Sequence, residues 1–145
     1  MKSIWKTPLS VHDVNERAKN TLSDHLKISF THVENDSLTA RMPITRESMQ
    51  PMGIMHGGAT AALAETVGSA AANYCVDQSK FVCVGLDLNI NHLRPMHTGH
   101  VDAIARPLHL GKTTQVWDIR IHDPEGKLVS VARLTMMVLT NPSGK

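Results

Sequence analysis

A single alanine-rich segment, residues 57–75, limits the possible folds of this chain more than any other feature. Seven alanines lie between positions 59 and 72, and a Pro/Gly-rich loop, residues 50–58, leads into the segment. Because alanine is the strongest helix former, the segment is predicted to be one long helix. Its side chains are small on several sides, so a sheet can approach closely, and we expect the helix to be largely buried.

Four strands are predicted after this helix. Beyond a turn at residues 77–80, apolar and polar residues alternate with a period of two, and short turn signals divide the pattern. The predicted strands are 81–94, 100–108, 113–122 and 127–140. In the first strand, one face is assigned to Val82, Val84, Leu86, Leu88 and Ile90. The last strands are joined by short turns, which makes them antiparallel neighbours.

The chain before the central helix is predicted to hold one helix and one strand pair. Residues 8–25 show apolar positions spaced by three or four, with Ser10 as the N-cap. Residues 26–33 and 37–44 alternate apolar and polar side chains on either side of a turn, as in a hairpin.

The order of these elements predicts an α+β fold in a single domain, residues 1–145. An antiparallel sheet wrapped around one central helix satisfies the order. Helices do not alternate with strands, so a doubly wound parallel sheet is excluded.

Composition excludes several classes of function. Fifteen basic and thirteen acidic residues leave a net charge of +2, too little for a nucleic-acid surface. Two phenylalanines and one tyrosine are too few to build stacking platforms for single strands. No stretch is apolar enough to cross a membrane, and the N-terminus lacks the apolar run of a signal peptide. We therefore expect a cytoplasmic protein that binds neither nucleic acid nor membrane.

Familiar cofactor and metal motifs do not occur in the sequence. The GxSxG, GxGxxG and P-loop patterns are missing, which disfavours serine hydrolases of that type and nucleotide-binding folds. His92, His97 and His100 are close in sequence but lack the spacing of a zinc site. Cys75 and Cys83 match no zinc pattern and are interpreted as reduced core thiols. We predict neither a metal nor a cofactor.

One carboxylate, Glu65, stands among apolar residues in the central helix, where burial of an acid is costly. Ser69 follows one turn later on the same face and could hydrogen-bond it. At the helix start, Gly57 and Gly58 offer backbone N–H groups that favour developing negative charge. His56 either caps this turn or touches a substrate. An acid beside an anion site suggests acyl-group hydrolysis; the alternative is a solvated acid, with glycines that only permit a sharp helix entry.

The spacing of these groups sets a geometric condition. Eight residues separate Gly57 from Glu65, which is about 12 Å along a helix axis. An oxyanion donor and a carboxylate acting on one carbonyl must both lie within about 3 Å of the reacting atoms. Either the pairing is wrong, or one site combines Gly57 of one subunit with Glu65 of another, which requires a symmetric dimer.

Residues 50–69 read QPMGIMHGGATAALAETVGS, an HGG triplet followed by a helix glutamate. This segment resembles the active-site segment of hotdog-fold acyl-CoA thioesterases, in the 4-hydroxybenzoyl-CoA and phenylacetate-pathway branch. The likeness extends over nearly the whole chain, through residues 4–6, 84–86, 91–92, 107–111 and 115–117. Two subgroups are similar to it: 1,4-dihydroxy-2-naphthoyl-CoA hydrolases and the proofreading thioesterases of enterobactin synthesis.

The resemblance implies roles for individual residues. Glu65 would attack the thioester carbonyl or activate water, and the Gly57 amide would hold the oxyanion. Gln50 and His56 would orient the thioester, with Ser69 assisting Glu65. Contacts with acyl-CoA are implied for Gly85, His92, Arg94, His109, Gly111, Lys112 and Thr113. The last four belong to the loop 109–114, where Lys112 and the backbone around Gly111 could meet the phosphates of CoA.

The resemblance also implies an assembly and a reaction. The hotdog fold would form a homodimer with shared sites, and two dimers would form a homotetramer. The leading interpretation is a thioesterase for an aromatic acyl-CoA. Two alternatives remain open: a thioesterase that discharges mis-acylated acyl carrier protein, and an acyl-CoA-binding module without turnover.

Overall fold

A six-stranded antiparallel sheet wraps around one helix in the computed structural model, which describes residues 1–143. The helices are α1 (Val11–Ala18), α2 (Leu22–His25) and α3 (Gly57–Tyr74), with a 3₁₀ helix at Arg46–Ser48. The strands are β1 (Ser29–Val33), β2 (Leu38–Pro43), β3 (Phe81–His92), β4 (His100–Leu110), β5 (Thr114–His122) and β6 (Leu128–Thr140). Their order across the sheet is β1-β2-β4-β5-β6-β3, so β3 forms one edge. The predicted α+β architecture is confirmed; residues 144 and 145 of the predicted domain lie outside the described residues.

The central helix α3 ends one residue before its predicted boundary and packs against β2 to β6. Nine of its 18 residues are buried, among them Leu63 and Val67, which have no exposed surface. Small residues allow the close approach: a Cβ built on Gly68 would lie 2.9 Å from Cδ1 of Ile119 in β5. The alanine-rich composition thus sets the distance between helix and sheet.

The predicted helix over residues 8–25 is wrong as a single element, because the chain breaks it into α1 and α2. The predicted N-cap is confirmed, since the Ser10 hydroxyl accepts a hydrogen bond from the Asp13 N–H at 3.1 Å. The break follows from Asn20, whose φ of 61° is left-handed, a conformation that asparagine tolerates better than most residues. Asn15 then ties α1 to the sheet through two hydrogen bonds to the backbone of Phe30, at 2.8 and 2.9 Å.

The alternation in β3 is interrupted by a bulge that the sequence analysis did not predict. Gly85 pairs with Met136 of β6 and Asp87 pairs with Thr135, which leaves Leu86 as an extra residue. An extra residue shifts the inward face by one position along the strand. Gly85 and Leu88 therefore both face α3, although they are three positions apart in the sequence.

The burial of β3 agrees with this shift. Before the bulge, Cys83 is buried and Val84 is exposed; after it, Leu88 and Ile90 lie opposite buried residues of β6. The prediction that one face of β3 carries Val82, Val84, Leu86, Leu88 and Ile90 is therefore wrong. Sequence alternation alone could not show the error, because the pattern remains apolar at every second position through the bulge.

A buried polar pair joins β5 to the C-terminal half of α3. The Trp117 indole N–H donates to Oε1 of Gln115 at 3.0 Å, and the Gln115 amide donates to the Ala72 carbonyl at 3.4 Å. Trp117 has no exposed surface and Gln115 has 2%. The indole N–H therefore depends on Gln115 for its hydrogen bond.

We expect Gln115→Leu to lower the free energy of unfolding by about 1–3 kcal/mol, because it leaves the buried Trp117 N–H without an acceptor. Urea unfolding of Gln115→Leu, Trp117→Phe and the double variant measures the coupling. The double variant should lose less than the sum of the two single losses. Additive losses would show that the hydrogen bond contributes nothing.

Candidate active site

The loop before α3 is held by its own hydrogen bonds. The Ser48 carbonyl accepts from the His56 N–H at 2.7 Å, and the Gln50 N–H donates to the Ile54 carbonyl at 2.9 Å. Gly53 turns the chain with a φ of 77°, a left-handed conformation that glycine adopts without strain. The loop therefore fixes His56 at the start of α3.

His56 is the N-cap of α3, which confirms the capping interpretation of this residue. Its Nδ1 accepts from the Gly58 N–H at 2.8 Å, and its ring fills the space that a Cβ on Gly58 would need. Since Nδ1 accepts, the neutral ring carries its hydrogen on Nε2. Among the described residues, the Gly57 N–H has no acceptor, as expected for the first residue of a helix.

A cleft of about 280 Å³ opens beside this N–H; we name it the amide cleft. Its lining includes Gln50, Gly57, His92, Arg94 and Ser130. The first four were predicted site residues, and the structure brings them together. The Gln50 side chain accepts from the Met52 N–H, which holds it within the loop.

Glu65 lies in a different cleft of about 480 Å³, which we name the carboxylate cleft. Ser69 lies beside it, as predicted, with its hydroxyl 3.4 Å from Oε1 of Glu65. The facing wall comes from α1, α2 and β1 and includes Val14, Arg17, Ala18, Thr21, Ser23 and Phe30. The carboxylate thus borders a mostly apolar space.

Gly85 makes the position of this carboxylate possible. A Cβ built on Gly85 would overlap Oε1 of Glu65. Gly85 faces α3 like Cys83 two positions earlier, and the absence of a side chain leaves room for the acid. The structure therefore joins the predicted residue Gly85 to Glu65 rather than to the amide cleft.

Asn73 was not predicted, yet it fixes α3 to β3 next to the carboxylate. Its Oδ1 accepts from the Cys83 N–H at 2.8 Å, and its Nδ2 donates to the Cys83 carbonyl at 3.0 Å. Nδ2 also donates to the Ser69 carbonyl at 2.9 Å. A signal was present in the sequence, since Glu65, Ser69 and Asn73 follow at intervals of four and share one helix face.

The remaining predicted residues lie elsewhere on the chain. Gly111, Lys112 and Thr113 form the turn between β4 and β5, and His109 lies near the end of β4. Gly111 and Lys112 line a third cleft with Cys75, at the C-terminal end of α3. One chain therefore divides the predicted residues among three places, and it does not bring Gly57 and Glu65 into one cleft.

Neither cysteine is suited to nucleophilic chemistry. Cys75 and Cys83 are buried and free, as predicted. Burial raises the pKa of the Cys75 thiol to about 12 and that of Cys83 to about 11. Both thiols therefore stay protonated near neutral pH.

Residues 1–143 contain neither a metal-ligand cluster nor a helix that could span a membrane. No group of three or more His, Cys, Asp or Glu side chains is placed to hold a metal ion. No helix of this part of the chain has the length and apolar character needed to cross a membrane.

Known proteins resemble this chain in sequence and in structure. Residues 52–130 match the sequence model of the Thioesterase superfamily. The 1,4-dihydroxy-2-naphthoyl-CoA hydrolase of Escherichia coli is 40% identical over 136 residues, covering 94% of this chain and 99% of that protein.

Two solved structures superpose closely on the chain. A mutant thioesterase of Pseudomonas aeruginosa gives a TM-score of 0.94 at 45% identity, covering 96% of this chain and all of that one. A thioesterase of Haemophilus influenzae gives 0.92 at 42% identity, covering 94% and 95%. The predicted hotdog fold is thereby confirmed.

We expect Gly85→Ala to lower kcat for thioester hydrolysis about 100-fold, because its Cβ displaces the Glu65 carboxylate from its place against β3. Steady-state kinetics with a thioester substrate measures the loss, and circular dichroism checks folding. Lys127→Ala, an exposed change in the turn before β6, serves as the control and should keep its rate. Equal rates for the two variants would contradict the role assigned to Gly85.

Proposed function

This chain belongs to the thioesterase superfamily and is a thioester hydrolase, and from that premise we propose that it hydrolyses an aryl acyl-CoA. The products are the free acid and CoA, and 1,4-dihydroxy-2-naphthoyl-CoA is a representative substrate. One observation carries the proposal: α3 begins with an N–H that has no acceptor within residues 1–143 and holds a carboxylate eight positions later, both against β3 but in separate clefts.

In the proposed mechanism, the Gly57 N–H binds the thioester oxygen. This group lies at the positive end of the α3 dipole, where negative charge is stabilised. As the carbonyl carbon becomes tetrahedral, its oxygen gains charge and the hydrogen bond strengthens. Gln50 and His56 orient the thioester; the fixed loop and the cap on α3 support this assignment.

Glu65 supplies the base or the nucleophile. Its carboxylate either attacks the thioester carbon or removes a proton from a water that attacks it. In both routes the C–S bond breaks and CoA leaves as a thiolate; in the first route water then hydrolyses the anhydride between Glu65 and the acyl group, which releases the free acid. Ser69 and Gly85 position the carboxylate, as their contacts with Oε1 indicate.

The two clefts act together if two chains form a dimer, so that Glu65 of one chain faces Gly57 of the other. The edge strand β3 is suited to this pairing: it has 12 residues and exposes the apolar side chains of Val84 and Leu86. Pairing two β3 edges would join the sheets and bring the two α3 helices side by side. We propose that two such dimers form a tetramer.

CoA recognition is assigned to residues of the amide cleft and to residues in and beside the turn between β4 and β5. Arg94 is exposed in the amide cleft and is placed to meet a phosphate. Lys112 is exposed in the turn between β4 and β5, with His109, Gly111 and Thr113 beside it. His92 lines the amide cleft together with Gly57.

The acyl group is assigned to the carboxylate cleft. Val14, Phe30 and Ala70 give it apolar walls, while Ser23 and Thr66 place two hydroxyl groups 3.2 Å apart on its surface. A planar aromatic acid with polar substituents matches this combination. The alternative substrate, an aryl group on the phosphopantetheine arm of a carrier protein, presents the same thioester to the same residues.

Thiol release from a panel of acyl-CoAs tests the substrate class directly. We expect kcat/KM to be highest for aryl acyl-CoAs and low for straight-chain acyl-CoAs. A higher kcat/KM for the matching aryl carrier protein would favour the carrier-protein alternative. Hydrolysis of none of these thioesters would reject the proposed function.

We expect Glu65→Gln to lower kcat about 1,000-fold, since the neutral amide can neither attack nor accept a proton. Binding of acyl-CoA, measured by calorimetry, should persist because the side chain keeps its size. Glu125→Gln, an exposed change in the turn before β6, is the control. A normal kcat in Glu65→Gln would reject the mechanism.

Mixed dimers test whether the two half-sites belong to different chains. Gly57→Ala is expected to be inactive, because its Cβ would lie 2.9 Å from Nε2 of His92. Mixing it with Glu65→Gln by unfolding and refolding makes half of the dimers mixed, each with one intact site. About one quarter of wild-type activity should return. If both groups acted within one chain, the mixture would stay inactive.

A further inference from the structure

We propose that the His92 Nε2–H is a second hydrogen-bond donor to the thioester oxygen, beside the Gly57 N–H. We further propose that the buried Ser130 hydroxyl holds His92 in the tautomer that can donate. This inference rests on the proposed function and adds a role in the reaction to the CoA contact considered for His92. It also assigns a positioning role to Ser130, which the sequence analysis did not single out.

The His92 ring lies directly against the first residue of α3. A Cβ built on Gly57 would be 2.9 Å from Nε2 and 3.4 Å from both Cδ2 and Cε1. Both carbons are closer to that position than they would be to a point in line with the Nε2–H bond, so the position lies over the ring at Nε2. The bond is therefore not directed at Gly57, and both residues line the amide cleft.

The Ser130 hydroxyl determines which nitrogen of His92 carries the hydrogen. Its Oγ is 3.2 Å from Nδ1 of His92, and Ser130 has no exposed surface. Within residues 1–143, His92 is the only partner found for this hydroxyl. If Nδ1–H donated to Oγ, the hydroxyl hydrogen would be buried without an acceptor, which is unfavourable.

The favoured arrangement therefore has the Ser130 hydroxyl donating to Nδ1. Nδ1 is then unprotonated, and a neutral His92 carries its hydrogen on Nε2. The opposite tautomer would present a lone pair to the thioester oxygen and repel it. Ser130 thus acts on the reaction only through His92.

A second donor is useful because of how the thioester oxygen changes. When Glu65 or its activated water adds to the carbonyl carbon, the C=O bond becomes C–O⁻. The oxygen can then accept more than one hydrogen bond, and fixed donors stabilise it most at this stage. When the C–S bond breaks, the electron pair leaves with CoA sulfur and the carbonyl re-forms.

The bulge in β3 is what brings His92 to this place. Seven positions separate Gly85 from His92, so a regular strand would direct them to opposite faces. The extra residue Leu86 puts both on the inner face, where Gly85 meets Glu65 and His92 meets Gly57.

Nitrogen NMR of histidine-labelled protein tests the tautomer without any substrate. The wild type should show His92 protonated at Nε2 and unprotonated at Nδ1, with the signal assigned by its loss in His92→Ala. Ser130→Ala should give a mixture of tautomers, and Ser130→Thr should restore the wild-type state. Protonation at Nδ1 in the wild type would overturn the proposal, whether or not the protein hydrolyses thioesters.

Kinetics tests the donor role. His92→Ala should lower kcat about 100-fold with little change in KM, and His92→Gln, which keeps an N–H donor, should recover part of the rate. Ser130→Ala should lower kcat about 10-fold, a loss that Ser130→Thr reverses. His12→Ala, an exposed histidine in α1, is the control.

A change in KM alone would reduce His92 to a CoA contact and overturn the proposal. A wild-type protein inactive on every aryl thioester would reject the proposed function and this inference together. Only the NMR result or the kcat–KM comparison rejects the inference while the proposed function stands.

Discussion

The close approach of α3 to β3 is the constraint on which the candidate site depends. Gly85 leaves space for the Glu65 carboxylate, and Gly57 leaves space for the His92 ring. At both points a glycine on one element meets a functional side chain on the other. The glycines and the bulge in β3 are thus parts of one arrangement, since the bulge lets Gly85 and His92 of the same strand both face α3.

This arrangement explains why α3 could be predicted from the sequence and the bulge in β3 could not. Alanine content and an acid one turn before Ser69 are local signals, and they correctly gave the extent of α3 and the Glu65–Ser69 contact. The bulge at Leu86 arises from pairing with β6, a strand about fifty residues later in the chain. The break between α1 and α2 could not be predicted from the apolar spacing either, because that spacing continues past Asn20.

The same distinction applies to the site. A continuous motif identified Gln50, His56, Gly57 and Glu65, and the helix rise showed that Gly57 and Glu65 could not share one cleft. Asn73 and Ser130 were missed because their importance lies in contacts with distant backbone or side chains. Neither residue type suggests chemistry by itself, and neither stands in the motif. The residues predicted to contact CoA also lie in three separate places in the fold, and their positions along the sequence do not predict this separation.

The Asn73 side chain has a consequence for how sheets can join. Val138, opposite Cys83 in β6, directs its N–H to Thr113 instead, so the backbone groups of Cys83 face the open edge. Asn73 occupies both of them, as another strand would. A strand added along β3 therefore finds partners only from Gly85 onward. The Asn73 side chain thus blocks part of an edge that could otherwise pair with any extended chain. This limits edge-to-edge aggregation and leaves a defined length of β3 for pairing with a specific partner strand.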